Sequence, residues 1–396
     1  MSTQSTNHTL SACSLPASPA NIASGKIVKV DLPASDRGYD IVVGESILSE
    51  AGSMIHLRLG LRRCVVVTDS NVADIYLKRL EAILAASGLS LLPSIIVPAG
   101  EASKGMDSLQ TMLNQLFERG ADRQTVVIAL GGGMIGDLAG LAASLFMRGL
   151  DLVQIPTSLL AQVDSSVGGK TGVNSSYGKN TIGTFYQPRL VLSDASTLDS
   201  LPVRQMRAGY AEVLKYGIIC DAGFFEWCRK HGETLLRGDR EAQIYAVSKS
   251  CEHKARIVAM DERETGDRAL LNFGHTFAHA FETATGYGNR LLHGEAVAIG
   301  MLLAMRLSAG LGICPPDDAA LVEGHLRETG LPVSPPAFDY DIDMLMELMG
   351  HDKKTKNGKF TFVLARGIGH AFVSREINPS PVRSLLQGII GGNGIV

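Results

Sequence analysis

Short apolar runs alternate with longer segments of helical spacing through the first half of the chain. Residues 27–30, 39–43, 64–68, 91–97, 125–130 and 152–155 are short and rich in Val, Ile and Leu, the character of buried strands. Between them, residues 72–86, 104–119 and 137–146 repeat their apolar positions every three to four residues. Near-continuous apolar strands alternating with helices predict a mostly parallel sheet covered on both faces.

The pattern changes near residues 198–204, where Leu201-Pro202 interrupts the chain. From Arg204 to Leu348 most segments fit a 3.6-residue period. Breaks fall at Gly223, Gly232, Gly266, Gly286, Gly288, Gly310, Gly312 and Pro315-Pro316. A strand pair is expected at 360–364 and 370–374. The pattern predicts a Rossmann-like, mostly parallel α/β domain over residues 25–200 followed by a mainly α-helical domain over 201–385. Residues 1–24, rich in Ser, Ala, Thr and Pro, lack the charged and apolar regions of a secretory signal and read as a disordered tail. Residues 386–396 read as a flexible end. No internal repeat is visible.

Composition narrows the classes. With 37 basic and 40 acidic residues the formal net charge is −3, which excludes a broad attraction to nucleic acid or anionic membrane but leaves room for a local basic pocket. The 6 cysteines show no C-x-x-C spacing and read as free thiols of a cytoplasmic protein. No uninterrupted apolar run reaches the roughly 18 residues of a membrane span. The 43 glycines have no three-residue period, so the chain is not collagen-like.

Some of those glycines stand where chemistry would need them. Residues 126–130 run into Gly131-Gly132-Gly133-Met134-Ile135-Gly136-Asp137, a G-x-G-x-x-G turn between strand and helix. Such a turn lets a pyrophosphate approach the backbone at a helix N-terminus. A ligand-free glycine turn has the same letters; the flanking strand and helix favour the nucleotide. Asp69, in Thr68-Asp69-Ser70-Asn71, ends another strand, where it could bond a ribose or cap the next helix. Glu101 and Lys104 follow a third strand and alone read as a solvated pair. Farther on, residues 164–174 and Gly178-Lys179-Asn180 gather glycines, lysines and amides suited to a phosphate or carboxylate. The plain alternative is a flexible surface loop.

Metal chemistry is suggested by His275 and His279, one helical turn apart, with His293 in His293-Gly294-Glu295 and Glu212 upstream. Three N/O ligands with an open fourth position make a catalytic zinc site. Spacing leaves Glu212, Glu282, Glu295, His275, His279 and His293 all open. The H-E-x-x-H pattern is absent, which disfavours a protease. Lys215, Lys254 and Arg268, taken singly, read as solvated charges.

Taken together, the segments resemble the 3-dehydroquinate synthase family over residues 26–377. They are the glycine turn, Phe146-Met147-Arg148-Gly149, residues 162–174, Ala211-Glu212-Val213-Leu214-Lys215, Leu271-Asn272-Phe273-Gly274-His275, His293-Gly294-Glu295 and His351-Asp352-Lys353-Lys354. The resemblance implies a metal, zinc or cobalt, on Glu212, His275 and His293. It implies NAD contacts at Asp69, Asn71, Glu101, Lys104, Gly132, Gly133, Asp137, Thr157, Ser158, Lys170 and Lys179. It places Asp164, Lys170, Asn180, Lys215, Lys254, Arg268, Asn272, His279 and Lys354 (or Lys353) around the substrate. Arg148 matches a residue reaching across a homodimer into the neighbouring site. The implied reaction converts 3-deoxy-D-arabino-heptulosonate 7-phosphate to 3-dehydroquinate and phosphate with catalytic NAD. Where the family often has G-H-A-I-E, this chain has Ala278-His279-Ala280-Phe281-Glu282, a change that alters no expected ligand. Other readings are a different sugar-phosphate cyclase, a metal-dependent polyol dehydrogenase and a non-catalytic nucleotide-binding protein. The basic segment 168–180 argues against a neutral polyol, and the intact metal residues against a scaffold.

Overall fold

A computed structural model describes residues 25–32, 38–264, 266–286, 288–353 and 359–390. The side chains of residues 351–353 are outside that description. The first half forms β1 (Lys26–Val30), β2 (Tyr39–Gly44), β3 (Arg63–Asp69), β4 (Ser90–Leu91), β5 (Ile95–Val97), β6 (Val126–Gly131), β7 (Asp151–Pro156), the hairpin β8 (Lys170–Ser175) and β9 (Gly178–Phe185), and β10 (Leu190–Asp194). Their main sheet has the order β1-β2-β10-β7-β6-β3-β4, with β5 also beside β3. Only β1 runs antiparallel to its neighbour.

Alternation of side chains along the strands feeds two cores. Val65, Val67, Val127, Ala129 and Leu152 pack on one face, beneath the Met106–Glu118 and Gly133–Leu145 helices. Cys64, Val66, Ile128, Leu130 and Val153 pack on the other, with Leu80 and Leu84 of the Lys78–Ala86 helix. Every residue of β6 is therefore buried, which explains its unbroken apolar run.

The chain passes from β3 to β5 on one side and returns to β6 on the other. Strand order thus reverses between β3 and β6, opening a crevice at their C-terminal ends. Asp69 and Gly131 are the last residues of those two strands.

The expected strand at 91–97 is split into β4 and β5, with Pro93 between them; proline lacks the N–H a continuous strand would need. The helix expected from Lys104 begins at Met106, because Gly105 is extended (φ −137°, ψ 174°). The helix expected from Asp137 begins at Gly133, so the glycine turn is itself the helix start. β10 was not anticipated; its apolar run, Leu190-Val191-Leu192, is too short to stand out, yet it is fully buried between β2 and β7.

The second half is helical: Val203–Cys220, Ala222–Leu236, Arg240–Met260, His275–Ala284, His293–Gly310, Pro316–Glu328, Ile342–Lys353 and Pro379–Ile390, with a hairpin of β11 (Phe360–Ala365) and β12 (Ala371–Ile377). Asp221 and Asp239 cap their helices by accepting from Phe224 N–H at 2.9 Å and Ala242 N–H at 2.8 Å. The last helix runs past residue 385 to Ile390 because Val382 and Leu386 are buried. The halves share one core, in which Tyr39, Ile41 and Val43 of β2 meet Val213, Leu214, Val247 and Val258. Among the described residues Cys64, Cys220, Cys228, Cys251 and Cys314 are free thiols, and no helix is long and apolar enough to cross a membrane. Cys13 lies outside them.

Two close backbone approaches set the helix positions. A Cβ on Gly294 would lie 1.8 Å from the Ala208 carbonyl oxygen, and one on Gly300 would lie 2.1 Å from that of Gly274. Gly294→Ala should therefore cost about 1–3 kcal/mol or more in urea unfolding. Gly324→Ala, in the Pro316–Glu328 helix with no obstructing atom within 4 Å, should instead stabilise by roughly 0.5–1 kcal/mol. Equal stabilities for the two variants would show that the Gly294 contact does not limit packing.

Candidate active site

Those glycine contacts bring three helices together. Glu212 lies mid-helix in Val203–Cys220, His275 opens its helix after the left-handed Gly274 (φ 79°), and His293 opens the next. Nε2 of His275 is 3.5 Å and Nε2 of His293 3.6 Å from Oε1 of Glu212. One ligand atom from each lies within 4.8 Å of the others, and this is the triad of potential metal ligands among the described residues. Glu212 is fully buried and its Oε1 has no hydrogen-bond partner. An orphaned buried carboxylate oxygen between two imidazoles is a donor set that fits a divalent metal.

The other carboxylates and imidazoles left open by spacing have neighbours of their own. Glu295 takes Arg204 in a bidentate pair, Nε–Oε1 2.6 Å and Nη2–Oε2 2.7 Å, and its Oε2 accepts from Leu292 N–H. Glu282 accepts from Nδ1 of His293 at 3.2 Å and from Nζ of Lys179 at 2.7 Å. His279 keeps to the same opening, its ring 5.5 Å from that of His275 and 6.3 Å from that of His293.

Electrostatics favour the charged forms of Glu212 and His293 and the neutral form of His275. Burial would raise the Glu212 carboxyl, but Lys215, one turn on, outweighs it and brings it down to about 2. Burial would lower His293, but Glu282 and Glu212 raise it to about 10. Burial and Lys215 together push His275 well below the usual imidazole range.

Beside the triad, Lys254 Nζ donates to both Oδ1 and the main-chain oxygen of Asp164, each at 2.7 Å, and Tyr216 donates to Oδ1 at 3.2 Å. Against the cost of burial, Lys254 and Lys215 hold the Asp164 carboxyl well below its ordinary value. Arg268 is fully buried; it donates to the carbonyls of Gly168 at 2.8 Å and Glu262, while its Nε–H has no partner. Asn272 donates to Glu264 at 2.6 Å, and Lys170 pairs with the same carboxylate. Glu264 itself stands at φ 57°, a strained backbone for a non-glycine residue.

On the crevice side, Gly132 caps the Gly133–Leu145 helix, and a Cβ on it would meet only Ser158 Oγ, at 3.5 Å. Its neighbours are packed: a Cβ on Gly131 would come within 2.9 Å of Ile135, and one on Gly136 within 2.7 Å of Gln154. The turn therefore offers open backbone at Gly132. Asp69 acts as a cap, accepting from Asn71 N–H at 2.9 Å and Val72 N–H at 3.2 Å. Thr157 N–H donates to Gly131. Lys104 is buried and its ammonium bridges Asp137 and Asn180, each at 2.5 Å. Glu101 accepts from Asn174 at 2.9 Å.

The basic glycine segment is thus no loose loop. It is the β8–β9 hairpin, packed on the Gly133–Leu145 helix, and it carries Lys170, Lys179 and Asn180 between crevice and triad. Arg148 is not brought into this cluster: it is exposed, at φ 71° in the turn after that helix. Lys354 lies outside the described residues. Glu264 and Tyr216 were not foreseen, since a lone acidic residue among charges and a tyrosine in an apolar helix carry no pattern.

Comparisons place this geometry. Family models described as 3-dehydroquinate synthase N-terminal and C-terminal match residues 94–208 and 209–355. A 3-dehydroquinate synthase of Rhodospirillum rubrum is 50% identical over 359 residues, covering 90% of this chain and 93% of that one. Among solved structures, 2-epi-5-epi-valiolone synthase from Streptomyces hygroscopicus, with NAD+ and Zn2+ bound, is 30% identical with TM-score 0.82, covering 90% of this chain and 97% of that one. A 2-deoxy-scyllo-inosose synthase complexed with carbaglucose-6-phosphate, NAD+ and Co2+ is 25% identical with TM-score 0.81, covering 91% and 99%. With half its residues shared along nearly the full length of such a relative, the chain belongs to the 3-dehydroquinate synthase family.

Proposed function

We propose that Glu212, His275 and His293 hold a divalent metal, zinc or cobalt, and that NAD lies over the turn at Gly132 and Gly133. The pocket between them takes 3-deoxy-D-arabino-heptulosonate 7-phosphate and releases 3-dehydroquinate and phosphate. The carrying observation is the buried, unpartnered Oε1 of Glu212 facing two imidazoles. Asp69, Asn71, Glu101, Lys104, Asp137, Thr157, Ser158, Lys170 and Lys179 line the nucleotide's side.

When bound, NAD supplies a reversible hydride acceptor and the metal a Lewis acid for the substrate's hydroxyls. The chain's own residues position and neutralise. Arg268, with a free buried Nε–H, and Asn272 are suited to a carboxylate. Lys170, Lys215, Lys254, Asn180 and His279 surround the rest of a doubly anionic molecule. An anion reaching Lys170 and Asn272 must displace Glu264, which now pairs with both. Glu212 and His275 are committed to the metal in this reading, and Lys254 and Lys215 hold the Asp164 carboxyl well below its ordinary value, which makes it a weak base. The substrate's own phosphate then serves as proton acceptor for its elimination. By the family pattern Lys354 or Lys353 supplies a further cation to the substrate, Arg148 serves the site of a second subunit in a cytoplasmic homodimer, and residues 25–200 and the helical half from 201 onward form the two domains.

Mixing this substrate with protein and catalytic NAD should release phosphate without net NADH. Stoichiometric NADH build-up would instead mark a dehydrogenase. Purified protein should carry about one metal per chain by elemental analysis, and Glu212→Ala should lose it; full retention would remove Glu212 from the ligand set. Arg268→Lys should lower kcat/KM roughly 10–100-fold, the worth of a charged hydrogen bond, with NAD affinity changed far less. An unchanged rate would undo the carboxylate assignment.

A further inference from the structure

Glu282 stands outside every role assigned so far, yet its carboxylate is buried and doubly engaged. It sits two turns after His275 on the same helix, so both face the triad. Its Oε2 meets Nδ1 of His293 at 3.2 Å, while Nε2 of that ring points to Glu212 at 3.6 Å. Nδ1 can donate to a carboxylate only as N–H, which leaves Nε2 as the nitrogen with the free lone pair once its proton is gone. His275 has the same arrangement with a weaker acceptor, its Nδ1 3.2 Å from the Phe273 carbonyl oxygen. Partners of this kind fix the ring and raise its basicity as a ligand.

The second oxygen of Glu282 reaches another part of the molecule. Oε1 takes Nζ of Lys179 on β9, at 2.7 Å. The next residue, Asn180, accepts from Lys104, which also holds Asp137 in the helix of the glycine turn. One carboxylate therefore links a metal ligand to the hairpin that borders the nucleotide crevice.

We propose that Glu282 is a positioning residue that presents Nε2 of His293 to the metal and, through Lys179, ties metal occupancy to the order of the β8–β9 hairpin. The proposal rests on the Glu212, His275 and His293 reading. A carboxylate shared between an imidazole N–H and an ammonium is best held when both are in place. Metal that fixes His293 thereby steadies the hairpin, and by linkage an ordered hairpin tightens the metal.

The test uses the full-length chain with Co2+ as probe. Affinity is read by chelator competition, coordination by the visible absorption of Co2+, and hairpin order by amide exchange over residues 178–185. Glu282→Gln should weaken Co2+ about 10–100-fold and alter its absorption at saturation. Saturating Co2+ should slow hairpin exchange in the parent chain and fail to do so in Glu282→Gln. Unchanged affinity and spectrum, or equal protection of the hairpin, would overturn the proposal. Lys179→Met tests the link from the other end and stands in if Glu282→Gln does not fold. It should bind Co2+ yet lose the protection, and protection that persists would overturn the coupling. Glu212→Ala separates the two readings. Co2+ retained there removes the triad and this proposal with it, whereas Co2+ lost there but undisturbed in Glu282→Gln removes only the role of Glu282.

Discussion

Burying the carboxylate of Glu212 is the constraint around which the rest of the site is arranged. An ion taken wholly out of water costs several kcal/mol unless opposite charge compensates it. Here Lys215 does so from one turn away, and both are sealed from solvent. Asp164 repels Glu212 and attracts Lys215, and is itself held by Lys254. Charges of alternating sign thus run from Glu282 through His293, Glu212, Lys215 and Asp164 to Lys254. No member can be removed without leaving another exposed to a low-dielectric interior.

Such a cluster needs helices closer than ordinary side chains allow. Gly294 against Ala208 brings His293 to Glu212, and Gly300 against Gly274 brings His275 to His293. Core packing and site geometry are therefore one problem in the helical half. In the α/β half the corresponding device is the reversal of strand order between β3 and β6, which leaves Asp69 and the glycine turn at the mouth of one crevice. The β8–β9 hairpin lies between the two devices, with Lys104 holding it from one side and Glu282 from the other.

Much of this was legible along the chain. Apolar runs such as 126–130 can be satisfied only by burial on both faces, so a parallel sheet follows from them directly. The change to helical spacing after Pro202, and the glycine turn between strand and helix, are local patterns that physics reads locally. The motifs around Glu212, Asn272 and His293 carried the family because their order and joint presence are specific.

Which neighbours equivalent side chains meet was decided only in three dimensions. Six carboxylates and imidazoles had equal claim to a metal by spacing, and their fates depended on neighbours distant in sequence. Arg204 occupies Glu295 from 91 residues away, and Lys179 occupies Glu282 from 103. The lysines and arginine that looked like solvated charges are buried for the same reason: Lys254 meets Asp164 from 90 residues away, and Arg268 meets Gly168 from 100. Periodicity along a chain reports which face is apolar. It carries no record of which polar groups will share a dry interior, because that pairing exists only once the helices have closed on one another.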